Sequence, residues 1–307
     1  MNNKNEFLLT NGMPIPMIGF GPGIMSKSDG KIKHYNRIIG HLNWLYNKHV
    51  VGPTLENGFI ESISNAIKSG CRLIDYSSAY GNERLIGDAI RLSGVPREEI
   101  FLTARISDRA QIQGKVRDEV LHALSEMQVD SVELLQFHWP LSDHYLNTWD
   151  EMRKLRDEGY CKVLGVANCN IHHVESIYNH SCEYPLVNQF ECHPLFTQKE
   201  LMGYCREKGI QVEAYTPVAR YDDRIVNMPM LRRLEHKYKK TFIQIILRWH
   251  VQNGIIPVFR SHNIKHQKSN IDIFDFSLSD EDMNKIDEMN LNSRLRYDPD
   301  KFEYFNY

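Results

Sequence analysis

The chain has 307 residues, 42% of them hydrophobic and 25% charged, with a formal net charge of −2. That is the profile of a globular protein long enough for a large core, and its near-neutral balance argues against nucleic acid or an anionic membrane as the main partner. No 18-residue apolar run offers a membrane span, and the opening "MNNKNEFLLTNG" lacks the apolar stretch of a signal peptide. The six cysteines, at 71, 161, 169, 182, 192 and 205, show no CxxC spacing. They read as reduced packing thiols in a cytoplasmic protein.

In chain order, "FLLTNGMPIPM" comes first, with Asn11-Gly12 between apolar runs. This predicts a β-hairpin, placed as a plug over one end of the fold. A strand around Ile18 follows, and then a long connection. Within it, "HYNRIIGHLNWLYNKH" puts Tyr35, Ile38, Ile39, Leu42, Leu45 and Tyr46 on one helical face.

From there one unit recurs, an amphipathic helix ending in glycine and then an apolar strand: "IKSG-CRLIDYS", "RDEG-YCKVLGVAN", "REKG-IQVEAYTP", "VQNG-IIPVF". Gly70, Gly159, Gly209 and Gly254 fit the left-handed position that ends a helix. Strands are expected around Ile18, Ile74, Leu102, Leu135, Leu164, Val187, Val212 and Ile256. The helical patterns between them include Phe59/Ile60/Ile63/Ile67, Val116/Val120/Leu124/Met127 and Trp149/Met152/Leu155. Eight such units predict an α/β (β/α)8 TIM barrel over 1–307, with an N-terminal β-hairpin and a helical insertion at about 26–56 after strand 1. A doubly wound sheet is the alternative, but "GFGPGIM" lacks the GxGxxG fingerprint.

Catalytic groups of such barrels sit at the C-terminal ends of the strands. There the chain places Asp75, with Tyr80 just beyond it, then Arg105, His138, Asn168, Gln189 and Tyr215. Singly, each has an ordinary structural role. Together they form a coherent site: a tyrosine acts as general acid toward a carbonyl oxygen, a nearby cation favours its ionised form, an aspartate holds that cation, and an imidazole orients the carbonyl. Carbonyl reduction then needs a bound hydride donor.

The blocks "MPIPMIGFG", "LIDYSSAYGNE", "LLQFHWP", "KVLGVANCN", "VNQFECHP", "VEAYTPV" and "ILRWHVQNGIIPV" resemble those of the aldo-keto reductases, in the same order and over nearly the whole length. The resemblance implies a barrel that uses NADPH, less often NADH, to reduce aldehydes and ketones. It makes Tyr80 the acid/base, supported by Asp75 and His138. It assigns Asn168 and Gln189 to the nicotinamide carboxamide and Tyr215 to the face of the ring. Thr216 and Pro217 would start the loop along the pyrophosphate. Arg260 and Ser261 match the pair after strand eight, with His266 in place of a downstream arginine and Asn270 on the adenine side. The expected partner is a small-molecule carbonyl substrate, on a monomer or weak homo-oligomer.

The chain departs from the family at several points. Arginine 105 stands where the family has lysine, and planar, forked Arg is not a conservative exchange at a tight site. Ala167 replaces a serine. The connection from Gly21 to Asp75 is roughly 30 residues longer than usual, which suggests a lid or pocket wall, or else a helix packed on the rim or an oligomer contact. The loops after strands four and seven are short, and the tail "LNSRLRYDPDKFEYFNY" is expected to reach the pocket edge. His34, His41 and His49 lack metal-ligand spacing, while His262 and His266 fall on the cofactor segment, so no metal is expected. Arg105 also motivates a second reading: a cofactor-binding, catalytically weak relative with a sensing or interaction role. A lyase or isomerase using Tyr80 and Asp75 is the third.

Overall fold

A computed structural model of the chain describes residues 5–24 and 52–302. The predicted helix over 35–46, and with it the lid assigned to the insertion, lies outside these residues.

The hairpin is present. Strands β1 (Glu6–Leu8) and β2 (Pro14–Pro16) pair antiparallel, with Phe7 opposite Ile15. Gly12 takes φ 84° in the turn, where its N–H bonds the Leu9 carbonyl.

The eight predicted strands then appear in sequence: β3 (Gly19–Phe20), β4 (Leu73–Ser77), β5 (Phe101–Ile106), β6 (Val132–Phe137), β7 (Cys161–Ala167), β8 (Val187–Glu191), β9 (Gln211–Tyr215) and β10 (Ile255–Phe259). All pair in parallel with their sequence neighbours, and β10 closes the ring on β3. The fold is therefore the (β/α)8 barrel, with a small antiparallel hairpin at one end. The four helix-ending glycines all have positive φ. The helix before β4 runs Gly52–Lys68, so residues 52–56 belong to the barrel's own helix rather than to the insertion.

Strand alternation sorts the barrel interior into layers. The lowest is apolar. Leu73, Phe101, Leu134, Val163, Val187 and Ile256 form one cluster with Leu9 and Ile15 of the hairpin. Two residues further along come Asp75, Thr103, Gln136, Gly165, Gln189 and Val258, with Glu213 in register beside Gln189; all but Gly165 and Val258 are polar. Gly165 is needed there, since a Cβ would stand 2.9 Å from the Val187 carbonyl oxygen and 3.1 Å from Gln136 Cγ. Above lie Arg105, His138 and Tyr215. The outer faces of the strands pack on the helices in a second, larger core containing Trp149, Trp249 and Phe137. Five cysteines are buried and Cys182 is exposed; all six are free. No helix among the described residues is long and apolar enough to cross a membrane.

Candidate active site

Arg105 ends β5 with its side chain 6% exposed, inside the ring of strands. Its Nη2 donates to Asp75 Oδ2 at 2.8 Å, and its Nη1 donates to Gln189 Oε1. Burial alone would weaken the guanidinium's hold on its proton; Asp75, then Tyr80 and Glu213, more than offset this. For Asp75, burial pushes the carboxyl up, against the pull of Arg105 and the bond from Gln189. The sequence-predicted Arg105–Asp75 pair is therefore formed.

Tyr80 lies in a short turn after β4, Ser78–Tyr80, which Ser77 caps through its side chain. Its ring stands nearly perpendicular to that of His138, with centroids 6.4 Å apart. His138 follows β6; burial, then the positive charges of Arg105 and Arg296, push its imidazole down to about 3. At any ordinary pH the ring is neutral, able to donate one hydrogen bond and accept another.

Asn168 follows β7 at φ 59°, a left-handed position that asparagine tolerates better than most residues. Its Nδ2 donates to the His138 carbonyl at 2.9 Å, and its Oδ1 accepts from the Tyr215 hydroxyl at 2.8 Å. Asn168, Tyr215 and the His138 backbone thus form one connected rim. Gln189 is different: it is fully buried, and its amide bonds Arg105, Glu213 and Asp75.

After β9 the chain turns sharply. Thr216, Ala219, Arg220 and Tyr221 all have φ between 49° and 60°. Left-handed backbone costs a non-glycine residue roughly 1–2 kcal/mol, so this loop is held in shape by its surroundings. The Thr216 hydroxyl is buried without a protein partner, a polar group left facing inward at the start of the predicted pyrophosphate loop.

The remaining predicted cofactor residues gather around the helix Ile264–Ile271. Arg260 is exposed; its Nη2 reaches the Ile24 carbonyl at 3.3 Å and His262 at 3.2 Å. Its guanidinium lies 3.2 Å from where a Cβ on Gly23 would be. The Ser261 hydroxyl accepts from the Asn263 N–H at 3.2 Å. His266 is exposed and Asn270 is buried. Arg260 and Ser261 follow β10, while His266 and Asn270 lie on the helix itself.

Several site residues were not singled out from sequence. Glu213 lies in register with Gln189 on the neighbouring strand. Burial and the Asp75 charge push its carboxyl up to about 7. Trp139, next to His138, stacks on Phe302 at 4.2 Å and meets Tyr297 edge-on at 6.5 Å, so the tail packs against the residue that follows His138. Glu191 anchors that tail by accepting the N–H groups of Leu295 (2.7 Å) and Arg296 (3.0 Å).

A second anchor joins Asp300 to the start of the helix Ile171–Ser181. Asn170 Nδ2 donates to Asp300 Oδ1 at 2.8 Å, and His172 Nε2 lies 3.3 Å from the same oxygen. His172, His173 and Asp300 are close enough together to suggest a metal site. However, the Asn170 N–H donates to His173 Nδ1 at 3.1 Å. That keeps the ring proton on Nε2, the nitrogen facing Asp300, and denies a cation its lone pair there.

Comparison with known proteins identifies the family and the fold. The sequence pattern of the Aldo/keto reductase family fits residues 44–291. The chain is 38% identical over 249 residues to the glyoxal reductase of Bacillus subtilis, covering 80% of this chain and 90% of that one. It is 34% identical over 245 residues to the methylglyoxal reductase DkgA of Escherichia coli, covering 79% and 88%. Among solved structures, an aldo-keto reductase from a Medee basin deep-sea metagenome library superposes with TM-score 0.84 at 29% identity, covering 97% of this chain and all of that one. The Bombyx mori aldo-keto reductase in complex with NADP gives TM-score 0.82 at 27% identity, covering 96% and 95%.

Proposed function

The chain belongs to the aldo/keto reductase family, and we propose that it reduces small aldehydes and ketones to alcohols with NADPH, Tyr80 donating the proton. The carrying observation is the Asp75–Arg105 ion pair at 2.8 Å, buried at the barrel mouth beside Tyr80 and a neutral His138. A relative that is a glyoxal reductase and another that is a methylglyoxal reductase make short α-oxoaldehydes the first substrates to try.

The residues present fit a nicotinamide dinucleotide. Asn168 keeps one free N–H after bonding His138, and Tyr215 offers a half-buried ring. The orphaned Thr216 hydroxyl faces the same region, and Arg260, Lys265 and His266 are cations or imidazoles for the adenosine phosphates. Arg260 and Lys265 favour NADPH over NADH. Bound there, the reduced nicotinamide supplies the hydride that reaches the carbonyl carbon.

The protein's own part is electrostatic. His138, neutral, donates to the carbonyl oxygen and fixes its direction. Tyr80 gives that oxygen a proton as negative charge builds on it. Arg105 stabilises the tyrosinate left behind, and Asp75 keeps Arg105 in place. Solvent at the mouth returns the proton. Trp139, Tyr297 and Phe302 shape an aromatic wall against which a small substrate packs.

A second reading rests on the Arg105 fork, which ties Gln189 into the barrel: a protein that binds the cofactor but turns over weakly, with a sensing role. Titrating NADPH and NADH by fluorescence, then following nucleotide oxidation with glyoxal, methylglyoxal and larger ketones, separates the two. Tight NADPH binding with oxidation by the oxoaldehydes is expected. Tight binding without turnover, restored by Arg105→Lys, would establish the second reading instead.

A further inference from the structure

The arginine that replaces lysine does more than supply a charge. A lysine ammonium is a compact point donor on a flexible stem, whereas a guanidinium presents several N–H groups in one plane and can hold two partners at fixed directions. Arg105 does so: one arm takes Asp75 and the other takes Gln189. Gln189 is then drawn fully inside. Its two N–H donors are both spent, on Glu213 Oε2 at 2.8 Å and on Asp75 Oδ1 at 3.3 Å. One lone pair on Oε1 is left, but no part of the side chain reaches the surface. Glu213, adjacent in register, makes this inward arrangement self-consistent, because it gives the amide an acceptor below the mouth.

We propose that Gln189 in this chain is a positioning residue for Arg105, anchored by Glu213, and not a ligand of the nicotinamide carboxamide. Within this structure the two contacts support each other: the fork needs an acceptor for its second arm, and Glu213 takes one of that acceptor's own N–H groups. The nicotinamide end of the cofactor is then tethered by Asn168 and Tyr215, with Gln189 withdrawn and Ala167 offering no hydroxyl. This inference rests on the reductase reading above.

The test compares four proteins: wild type, Gln189→Met, Arg105→Lys and the double variant. The NADPH dissociation constant is read by fluorescence quenching and the pH profile of kcat by turnover. In wild type, Gln189→Met is expected to change the dissociation constant by less than about twofold, as for a residue that does not touch the ligand. It is expected to move the alkaline limb of the profile upward, as the loosened cation leans toward Asp75 and away from Tyr80. In the Arg105→Lys background the amide is released, and Gln189→Met should then weaken NADPH by about tenfold, the effect of one lost hydrogen bond.

An equal tenfold loss in both backgrounds would overturn the proposal, as would a pH profile unmoved by Gln189→Met. If Gln189→Met does not fold, Glu213→Met removes the acceptor of the same anchor with a side chain of similar length. Unchanged NADPH affinity with a smaller shift of the alkaline limb supports the proposal, and a tenfold loss of affinity overturns it. Should wild type bind neither nucleotide, the reductase reading fails on its own. Urea unfolding of the same four proteins then decides the Arg105–Gln189 link, which additive effects would refute.

Discussion

The two ends of this barrel are built from the same strands and do opposite things. At the lower end, the inward residues are apolar and the hairpin lays Leu9 and Ile15 over them. Two and four residues further along, the inward positions become Asp75, Gln189 and Glu213, then Arg105, His138 and Tyr215. Closure at the bottom is hydrophobic; the mouth holds buried charges that persist only because each has a partner. The ring thus changes character by layer, apolar at the hairpin end and polar at the end where we propose the chemistry.

That division can be broken or sharpened by substitution. Asp75→Ala should have the largest effect, because it leaves Arg105 buried without a carboxylate; loss of one partner of a buried pair costs about 3–5 kcal/mol. Urea unfolding should show that loss and turnover should collapse with it. Ile15→Ala at the opposite end should cost about 2–4 kcal/mol in the same unfolding assay, while kcat and the NADPH dissociation constant stay unchanged. An Ile15 variant that alters catalysis would mean the two ends are not separable.

Glu213→Gln tests the middle layer through pH. The carboxyl is raised from its ordinary 4.5 to about 7 in the fold. The folded state therefore keeps a proton that the unfolded chain has released, and stability is lost as pH rises from 4.5 through 7. Removing the acid removes that loss. The variant should gain on wild type between pH 5 and pH 8 by about 1–3 kcal/mol, given 1.36 kcal/mol per pKa unit. A difference that does not change with pH contradicts the assignment. Phe302→Ala, which removes the stack on Trp139, should be smallest: about 1 kcal/mol of tail docking, seen as a raised KM for apolar aldehydes with kcat little changed.

Much of this was legible in the sequence, and for a physical reason. Helix-ending glycines before apolar runs mark the repeating unit, and polar residues at strand ends stand out against those runs, so the barrel, Asp75, Arg105 and His138 could be read directly. Glu213 escaped because "QVEAY" looks like one more buried strand. The available signal was its phase, two residues before Tyr215 and so on the same inward face. The partners of Gln189 escaped for a different reason. Its position fits a cofactor role, but the fork of Arg105, 84 residues away in sequence, decides where its amide points. The tail anchor was equally hidden, since Asn170 and Asp300 are 130 residues apart.

We propose that the mouth reduces a carbonyl with Tyr80 as the proton source. It is tested most directly by comparing wild type with Tyr80→Phe for NADPH oxidation by methylglyoxal, with nucleotide affinity measured on both. The phenylalanine variant should bind NADPH as wild type does and lose about 10²–10⁴-fold in kcat, the usual contribution of a general acid. Equal turnover by the two proteins would contradict the assignment.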